Sequence, residues 1–192
     1  MDIKDLFKLD DNRIWDITVP YIKKDNVTHV YLTTEVQEPE YYNEICFHLM
    51  TASADEVFEF HLNTPGGMID SAFMLIDAIK ASPARTIAHL TGTVASAGTI
   101  ITLACDEVKV ADHTSWMSHN YSAGMHGKGH EMKARQNHMD ESLNAAFREF
   151  YAGFYTETEM QEIIDGKDSW LTKDEVLRRW DNRKDYLSKL SE

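Results

Sequence analysis

Three β-strand patterns, each followed by a helical pattern, limit most narrowly the folds that this chain can adopt. The strand patterns are rich in β-branched and aromatic residues and lie at residues 27–33, 57–62 and 85–92. Apolar side chains then recur at helical spacing in residues 39–52 and 68–82, and the helix that Ser96 opens is apolar all round, which predicts that it is buried. Strands separated by helices imply βαβ crossovers and a largely parallel sheet, so the predicted fold class is α/β.

The second half of the chain predicts shorter strands and further helices. Short strands are predicted at residues 107–111 and 115–118, and a long helix from about residue 130 to 154. Two Thr-x-x-Glu capping boxes, Thr156 to Glu159 and Thr172 to Glu175, each predict the start of a short further helix. We interpret residues 1–192 as one domain, with residues 1–26 as a peripheral segment.

Composition excludes several classes of protein. No run reaches the roughly 18 apolar residues of a membrane span, and the first residues, MDIKDLFKLDD, are too charged for a signal peptide. Two cysteines, Cys46 and Cys105, give no disulfide framework and favour a cytoplasmic location. The formal net charge of −13 argues against a nucleic-acid surface, because phosphate binding needs clustered Lys and Arg. We therefore expect neither nucleic acid nor a membrane among the partners.

Two glycine-containing segments follow predicted strands and lead into helices, where ligands gather in open α/β sheets. In NTPGG (63–67), Gly66 and Gly67 allow backbone conformations closed to other residues and expose amide groups. In TVASAG (93–98), Ser96 stands at a helix N-terminus between small residues. Each segment has a simpler interpretation, since the first can be an ordinary strand–helix turn and the second a serine N-cap.

The histidines do not predict a metal site. His126 and His130 are four residues apart but are separated by glycines, and with His138 they form no H-E-x-x-H motif. The chain also lacks the GxxxxGK[ST] motif of nucleotide-binding loops. We expect neither a bound metal nor a cofactor on this chain.

Four segments in order resemble the proteolytic subunit of Clp protease, a serine peptidase family of the crotonase-like superfamily. They are the glycine turn NTPGG, the serine segment VASAG (94–98), MSH (117–119) at the end of a short strand, and KDSWLT (167–172). The resemblance covers roughly residues 27–176, with separations close to the family's pattern. It implies a ClpP-like fold of repeated β–α units, in which about residues 120–154 form a protruding handle.

The resemblance also implies site residues and a mechanism. Ser96 corresponds to the nucleophile, His119 to the general base and Asp168 to the acid that orients the histidine. The backbone N–H groups of Gly67 and Ala97 correspond to the oxyanion hole. Small residues beside Ser96 are expected to let a substrate carbonyl approach.

The family resemblance further implies a homo-oligomer of two stacked seven-membered rings, a tetradecamer that cuts unfolded or threaded polypeptides inside its chamber. Any ATP would act only through a separate AAA+ unfoldase partner. Asn120 and Tyr121 depart from the Gln-Pro that usually follows the family's histidine, and both chain ends diverge from the family.

Three alternatives remain open from the sequence. The first is a phage-type capsid-maturation protease of the same fold. The second is a crotonase-like acyl-CoA enzyme, which uses paired oxyanion amides without a serine nucleophile. The third is a non-catalytic assembly subunit with an idle site.

Overall fold

A computed structural model describes residues 18–190 of the chain. Its strands are β1 (Tyr21–Lys24), β2 (Val27–Leu32), β3 (Val57–Thr64), β4 (Arg85–Ala95), β5 (Glu107–Val110), β6 (Ser115–Ser118) and β7 (Ser169–Leu171). Its α-helices are α1 (Asn43–Thr51), α2 (Ile69–Ala81), α3 (Ala97–Ala104), α4 (Gly129–Tyr151), α5 (Glu157–Ile164) and α6 (Lys173–Leu190). A 3-10 helix at Pro39–Tyr42 precedes α1. The first 17 residues of the predicted peripheral segment lie outside the described part of the chain.

The strands form one sheet in the order β1-β2-β3-β4-β6-β7, with β5 also paired to β4. The inner pairs β2–β3, β3–β4, β4–β5 and β4–β6 are parallel, and only β1–β2 and β6–β7 are antiparallel. The α/β fold class and the largely parallel sheet are therefore confirmed.

Strand β4 connects two parts of the sheet and ends beside Ser96. Its first half pairs with β5 and its last three residues pair with β6. Between these halves Gly92 has a φ of 61°, and the register with β3 shifts between Leu62 and Thr64. The side-chain oxygen of Asn63 accepts a 3.1 Å hydrogen bond from the N–H of Thr93 at this irregularity. After this irregularity, the last three residues of β4 pair with β6.

The core lies between one face of the sheet and the helices that pack on it. Alternate residues of the inner strands are buried on this face, among them Val30, Phe58, Phe60, Leu62 and Leu90. Helix α3 is buried from Ala97 to Leu103, as its continuous apolar pattern predicts. Burying this apolar surface stabilises the fold by roughly 25 cal/mol per Å². It also fixes the N-terminus of α3 against the end of β4.

Three elements differ from the predicted organisation. Tyr21–Lys24 forms an antiparallel edge strand with three exposed residues, and Ser169–Leu171 forms a three-residue strand that pairs with β6. Both are too short to show a period. The last helix has 18 residues rather than being short, although only Val176 and Trp180 are buried in it. Within residues 18–190 no helix combines the length and apolar character needed to cross a membrane.

Candidate active site

Ser96 lies in a strained turn between β4 and α3. Its φ of 52° and ψ of −123° belong to a region that non-glycine residues rarely occupy, at a cost of about 1–3 kcal/mol. The N–H of Ser96 donates a 2.8 Å hydrogen bond to the carbonyl oxygen of Met117 in β6, which holds the turn in place. A sharp strand-to-helix turn of this kind presents a serine hydroxyl at the top of an α/β sheet.

The hydroxyl of Ser96 does not cap helix α3. Ser96 occupies the N-cap position, but its side chain makes no capping hydrogen bond. Its carbonyl oxygen instead accepts hydrogen bonds from the N–H of Thr99 at 2.9 Å and from the hydroxyl of Thr99 at 2.6 Å. Since a serine that only capped the helix would bond a backbone N–H of the first turn, this geometry disfavours the simpler interpretation.

His119 is the partner of the Ser96 hydroxyl. It follows β6 directly, and its Nε2 atom lies 2.8 Å from Ser96 Oγ. The parallel pairing of Ala95 with Met117 brings the two chain segments together. With the proton on Nδ1, the hydroxyl donates to Nε2, which is the arrangement a general base requires.

Asp168 directly precedes β7, the strand that pairs with the one ending before His119, but makes no hydrogen bond or ion pair with His119 in the described part of the chain. The antiparallel register pairs Ser118 with Ser169, so one further step would place His119 opposite Asp168. Asp168 is nevertheless exposed, and within residues 18–190 no hydrogen bond or ion pair joins it to His119. The structure thus brings two of the three predicted side chains together, and the role of Asp168 stays a prediction.

The glycine turn packs directly against the serine. Gly66 has a φ of 97°, and a Cβ atom there would lie 2.5 Å from Ser96 Cβ. A Cβ on Gly98 would lie 2.6 Å from Thr64 Cγ2. The small residues around Ser96 therefore serve close packing between the two turns, which is a structural reason beside the predicted approach of a substrate.

The two N–H groups predicted to form the oxyanion hole do not donate to the backbone hydrogen bonds around them in the described chain. Gly67, with a φ of 146°, forms a bridge with Val36. The bridge consists of hydrogen bonds from the Val36 N–H to the Gly66 oxygen at 2.7 Å and from the Met68 N–H to the Val36 oxygen at 2.9 Å. The N–H of Gly67 takes no part in it. Ala97 is the first residue of α3, where an N–H has no acceptor within its own helix.

Asn120 and Tyr121, which depart from the family pattern, attach the histidine segment to two helices. Asn120 Nδ2 donates a 2.7 Å hydrogen bond to the carbonyl oxygen of Ile164 at the end of α5. The hydroxyl of Tyr121 hydrogen-bonds Asp140 in α4, and this bond, followed by burial, raises the pKa of Tyr121. The two residues that follow His119 are therefore each hydrogen-bonded to a different helix.

Ser96 and His119 open onto a cleft of about 480 Å³. One wall is formed by the glycine turn and the first residues of α2 and α3. The other wall comes from apolar side chains of α4, namely Met139, Leu143, Ala146, Phe147, Phe150 and Tyr151. Apolar side chains of the long helix thus line the space beside the serine.

Tyr151 joins α3 and α4 behind this cleft. Its hydroxyl forms a short hydrogen bond with Thr99 Oγ1, in the first turn after Ser96. Burial raises the pKa of Tyr151 well above its usual value, so the phenol stays protonated at neutral pH. The sequence does not single out this residue, because one tyrosine in an apolar helical stripe has no distinguishing spacing.

The sequence predicts no metal site, but the structure brings together three side chains that could bind a metal. His126, His130 and His138 are all exposed and do not converge. Within residues 18–190 the metal-ligating side chains that do converge are His29, Glu59 and His61. Sequence analysis missed them because they come from two strands whose register a single sequence does not reveal.

The fold and the paired serine and histidine define a ClpP-like α/β protein with the layout of a serine hydrolase site. The sequence pattern of the family described as Clp protease matches residues 15–178. This chain belongs to the Clp protease family.

Curated relatives and solved structures agree with this assignment. The ATP-dependent Clp protease proteolytic subunit 2 of Pseudomonas aeruginosa is 27% identical over 136 residues, which are 68% of this chain and 66% of the relative. The ATP-dependent Clp protease proteolytic subunit 1 of Corynebacterium jeikeium is 27% identical over 160 residues, 79% of this chain and 77% of the relative. The structure of a ClpP1 mutant from Listeria monocytogenes superimposes with a TM-score of 0.61 at 22% identity, covering 79% of this chain and 86% of that one, which supports the fold.

Proposed function

We propose that this protein is a serine endopeptidase that cleaves unfolded or threaded polypeptides. The observation that carries the proposal is the 2.8 Å separation between Ser96 Oγ and His119 Nε2. A serine hydroxyl is a weak nucleophile and needs an adjacent base to take its proton as it attacks. Membership of the Clp protease family supports the same reaction.

In this mechanism Ser96 Oγ attacks the carbonyl carbon of the scissile peptide while its proton passes to His119 Nε2. The imidazolium then gives that proton to the leaving amine, and an acyl-enzyme forms on Ser96. Water, activated by the same nitrogen, releases the second product and restores the serine. Each proton movement uses one nitrogen atom that already lies within hydrogen-bond distance of the hydroxyl.

The backbone N–H groups of Gly67 and Ala97 stabilise the oxyanion of the tetrahedral intermediate. Both residues line the cleft that contains Ser96. One belongs to the bridged glycine turn and the other begins a buried helix. Removing one such donor typically lowers kcat by about 10²–10³.

Asp168 holds the ring of His119 in the required tautomer in the active state. Strand β7 pairs Ser118 with Ser169, so continuing this register by one residue would place Asp168 opposite His119. We propose that assembly favours this arrangement, because Asp168 is exposed in the isolated chain.

The cleft and the exposed handle support the rest of the proposal. Apolar side chains of α4 beside Ser96 suit an apolar side chain of an extended peptide. Helix α4 buries only Tyr151 within the chain and leaves a long surface for neighbouring subunits. We propose stacked heptameric rings in the cytoplasm, a peptidase reaction that uses no cofactor on this chain, and ATP hydrolysis supplied by a separate unfoldase.

The test is labelling of the assembled protein with a fluorophosphonate probe, which reacts with activated serines. We expect the native protein to be labelled and to hydrolyse peptides, and Ser96→Ala to lose both properties. The matched control is Ser122→Ala, which lines the same cleft and should remain labelled.

Other outcomes would favour other functions. An acyl-CoA enzyme or an idle subunit would give no labelling of the native assembled protein. Equal labelling of Ser96→Ala and native protein would place the reactive serine elsewhere and contradict the proposal.

A further inference from the structure

Two histidines and a glutamate meet on the face of the sheet away from the core. His29 in β2 lies opposite Glu59 in β3, and His61 is two residues further along β3 on the same face. All three side chains are half-buried. Because the neighbouring residues Thr28, Phe58 and Phe60 face the core, alternation along the strands directs these three away from it. None of the three lines the cleft at Ser96.

The separations of the three ligand atoms suit a tetrahedral ion. His29 Nδ1 lies 3.2 Å from His61 Nε2 and 3.3 Å from Glu59 Oε2. One such atom from each residue lies within 4.8 Å of the other two. Bonds of about 2.0–2.1 Å at the tetrahedral angle place two Zn²⁺ ligands about 3.3 Å apart. Two of the three edges therefore match that spacing before any ion binds.

Neighbouring side chains hold the candidate ligands in place. The second carboxylate oxygen of Glu59, Oε1, lies 3.4 Å from His89 Nε2 and 3.7 Å from Lys109 Nζ. The ring of His61 stacks between those of Tyr31 and His89, with centroid distances of 4.8 and 4.9 Å. Such outer contacts orient ligands and sharpen metal affinity. They also leave Glu59 Oε2 beside His29 Nδ1, at 3.3 Å.

We propose that His29, Glu59 and His61 bind one divalent transition-metal ion of the Zn²⁺ type, with solvent in the fourth position. Two imidazole nitrogens and one carboxylate favour Zn²⁺ and its first-row neighbours over Mg²⁺ or Ca²⁺, which prefer oxygen ligands. The ion would link β2 to β3 on the face of these strands that points away from the core. This inference is independent of the peptidase proposal, since it concerns other residues and needs no catalysis.

The test measures Zn²⁺ binding to the full chain after removal of metals by a chelator. Equilibrium dialysis with elemental analysis should find one tightly bound Zn²⁺ per chain in the native protein. His61→Gln should weaken that binding by a factor on the order of 100 or more, since loss of a ligand exceeds the effect of losing an outer contact. His130→Gln is the control, because its side chain is 80% exposed and belongs to no cluster, and it should bind as the native protein does.

A second measurement separates metal binding from folding. Zn²⁺ should raise the unfolding temperature of the native protein and of His130→Gln, whereas Mg²⁺ should not, because a ligand that binds only the folded state stabilises it. Glu59→Gln keeps the shape of the side chain and should lose most of this response. The proposal would be overturned if the native protein bound no Zn²⁺ ion tightly. Equal Zn²⁺ binding by the native protein, His61→Gln and Glu59→Gln would also overturn it. The cluster would then be a set of hydrogen-bonded side chains without a metal.

Discussion

At the scale of single residues, the site in the described chain consists of a serine hydrogen-bonded to a histidine and an aspartate that is not bonded to that histidine. Ser96 and His119 are joined by a hydrogen bond, whereas Asp168, which directly precedes β7, makes no hydrogen bond to the ring in the described part of the chain. The histidine can act as a base in this state. Its tautomer, however, is not yet held by a carboxylate.

Substitution of Asp168 distinguishes a working triad from a serine–histidine pair. We expect Asp168→Asn to lower the kcat for peptide hydrolysis by roughly 10⁴, because an amide favours the wrong tautomer of the ring. Asp165→Asn is the control, since Asp165 is exposed and accepts a hydrogen bond only from Gln161 in its own helix. Undiminished hydrolysis by Asp168→Asn would show that the pair works without this acid.

The residues of the site differ in how far the sequence predicts them. Ser96 and His119 follow from motifs in which the backbone itself fixes the side chain, a strained turn and the end of a strand. The position of the Asp168 side chain depends on its rotamer, which no local pattern in the sequence fixes. His29 and Glu59 come together only through strand register, which local patterns do not encode.

At the scale of elements, helices with explicit start signals are those the sequence predicts best. Thr156 caps α5 and Glu159 bonds back to the Thr156 N–H at 2.8 Å, as the capping box predicts. Thr172 and Glu175 make the same backbone contact before α6. By contrast, β1 and β7 are strands because they pair with β2 and β6. Segments of three or four residues are too short to show a strand pattern in the sequence.

The first capping box also links α5 to α6 and predicts a pH dependence of stability. Hydrogen bonds from Arg179, together with those from Thr156 and against the effect of burial, lower the pKa of Glu159 to about 2. A carboxyl whose folded-state pKa is depressed stabilises the fold above its unfolded pKa and loses this contribution as the pH falls through the folded value. The relevant window lies between about pH 4.5 and 2.

We therefore expect Glu159→Gln to reduce the free energy of unfolding at neutral pH by about 0.5–1 kcal/mol, since the carboxylate is partly exposed and screened. The glutamine still completes the capping box, so the difference reports the charge. Denaturant unfolding should show native and variant stabilities converging as the pH approaches 2. Glu141→Gln, on the exposed part of α4, should match the native protein throughout, and a constant difference for Glu159→Gln would contradict the assignment.

At the scale of the whole molecule, several large apolar side chains are exposed on the surface of the described chain. Exposed large side chains include Ile22, Phe47, Met50, Met68 and Trp170. Trp170 belongs to β7, the strand that follows Asp168, and is 59% exposed. Contacts between subunits at this edge would act directly on the acid of the proposed triad.

Assembly is therefore expected to control activity. Light scattering should give a mass near fourteen times the 22.0 kDa chain, and peptide hydrolysis per chain should fall when dilution dissociates the assembly. The control is Ser96→Ala, which should assemble and dissociate at the same concentrations but remain inactive. A monomer with full activity at every dilution would contradict the ring proposal.

The site is made largely by main-chain groups. The Met117 carbonyl holds Ser96, the Val36 peptide groups hold the glycine turn, and the proposed donors are backbone amides. Every residue except proline offers both an amide N–H and a carbonyl, so the supporting positions 36 and 117 can vary while the geometry persists, unlike the tightly packed Gly66 and Gly98. A library that varies these supporting positions is thus a practical route to altered specificity, with proline at position 36 as the substitution to leave out.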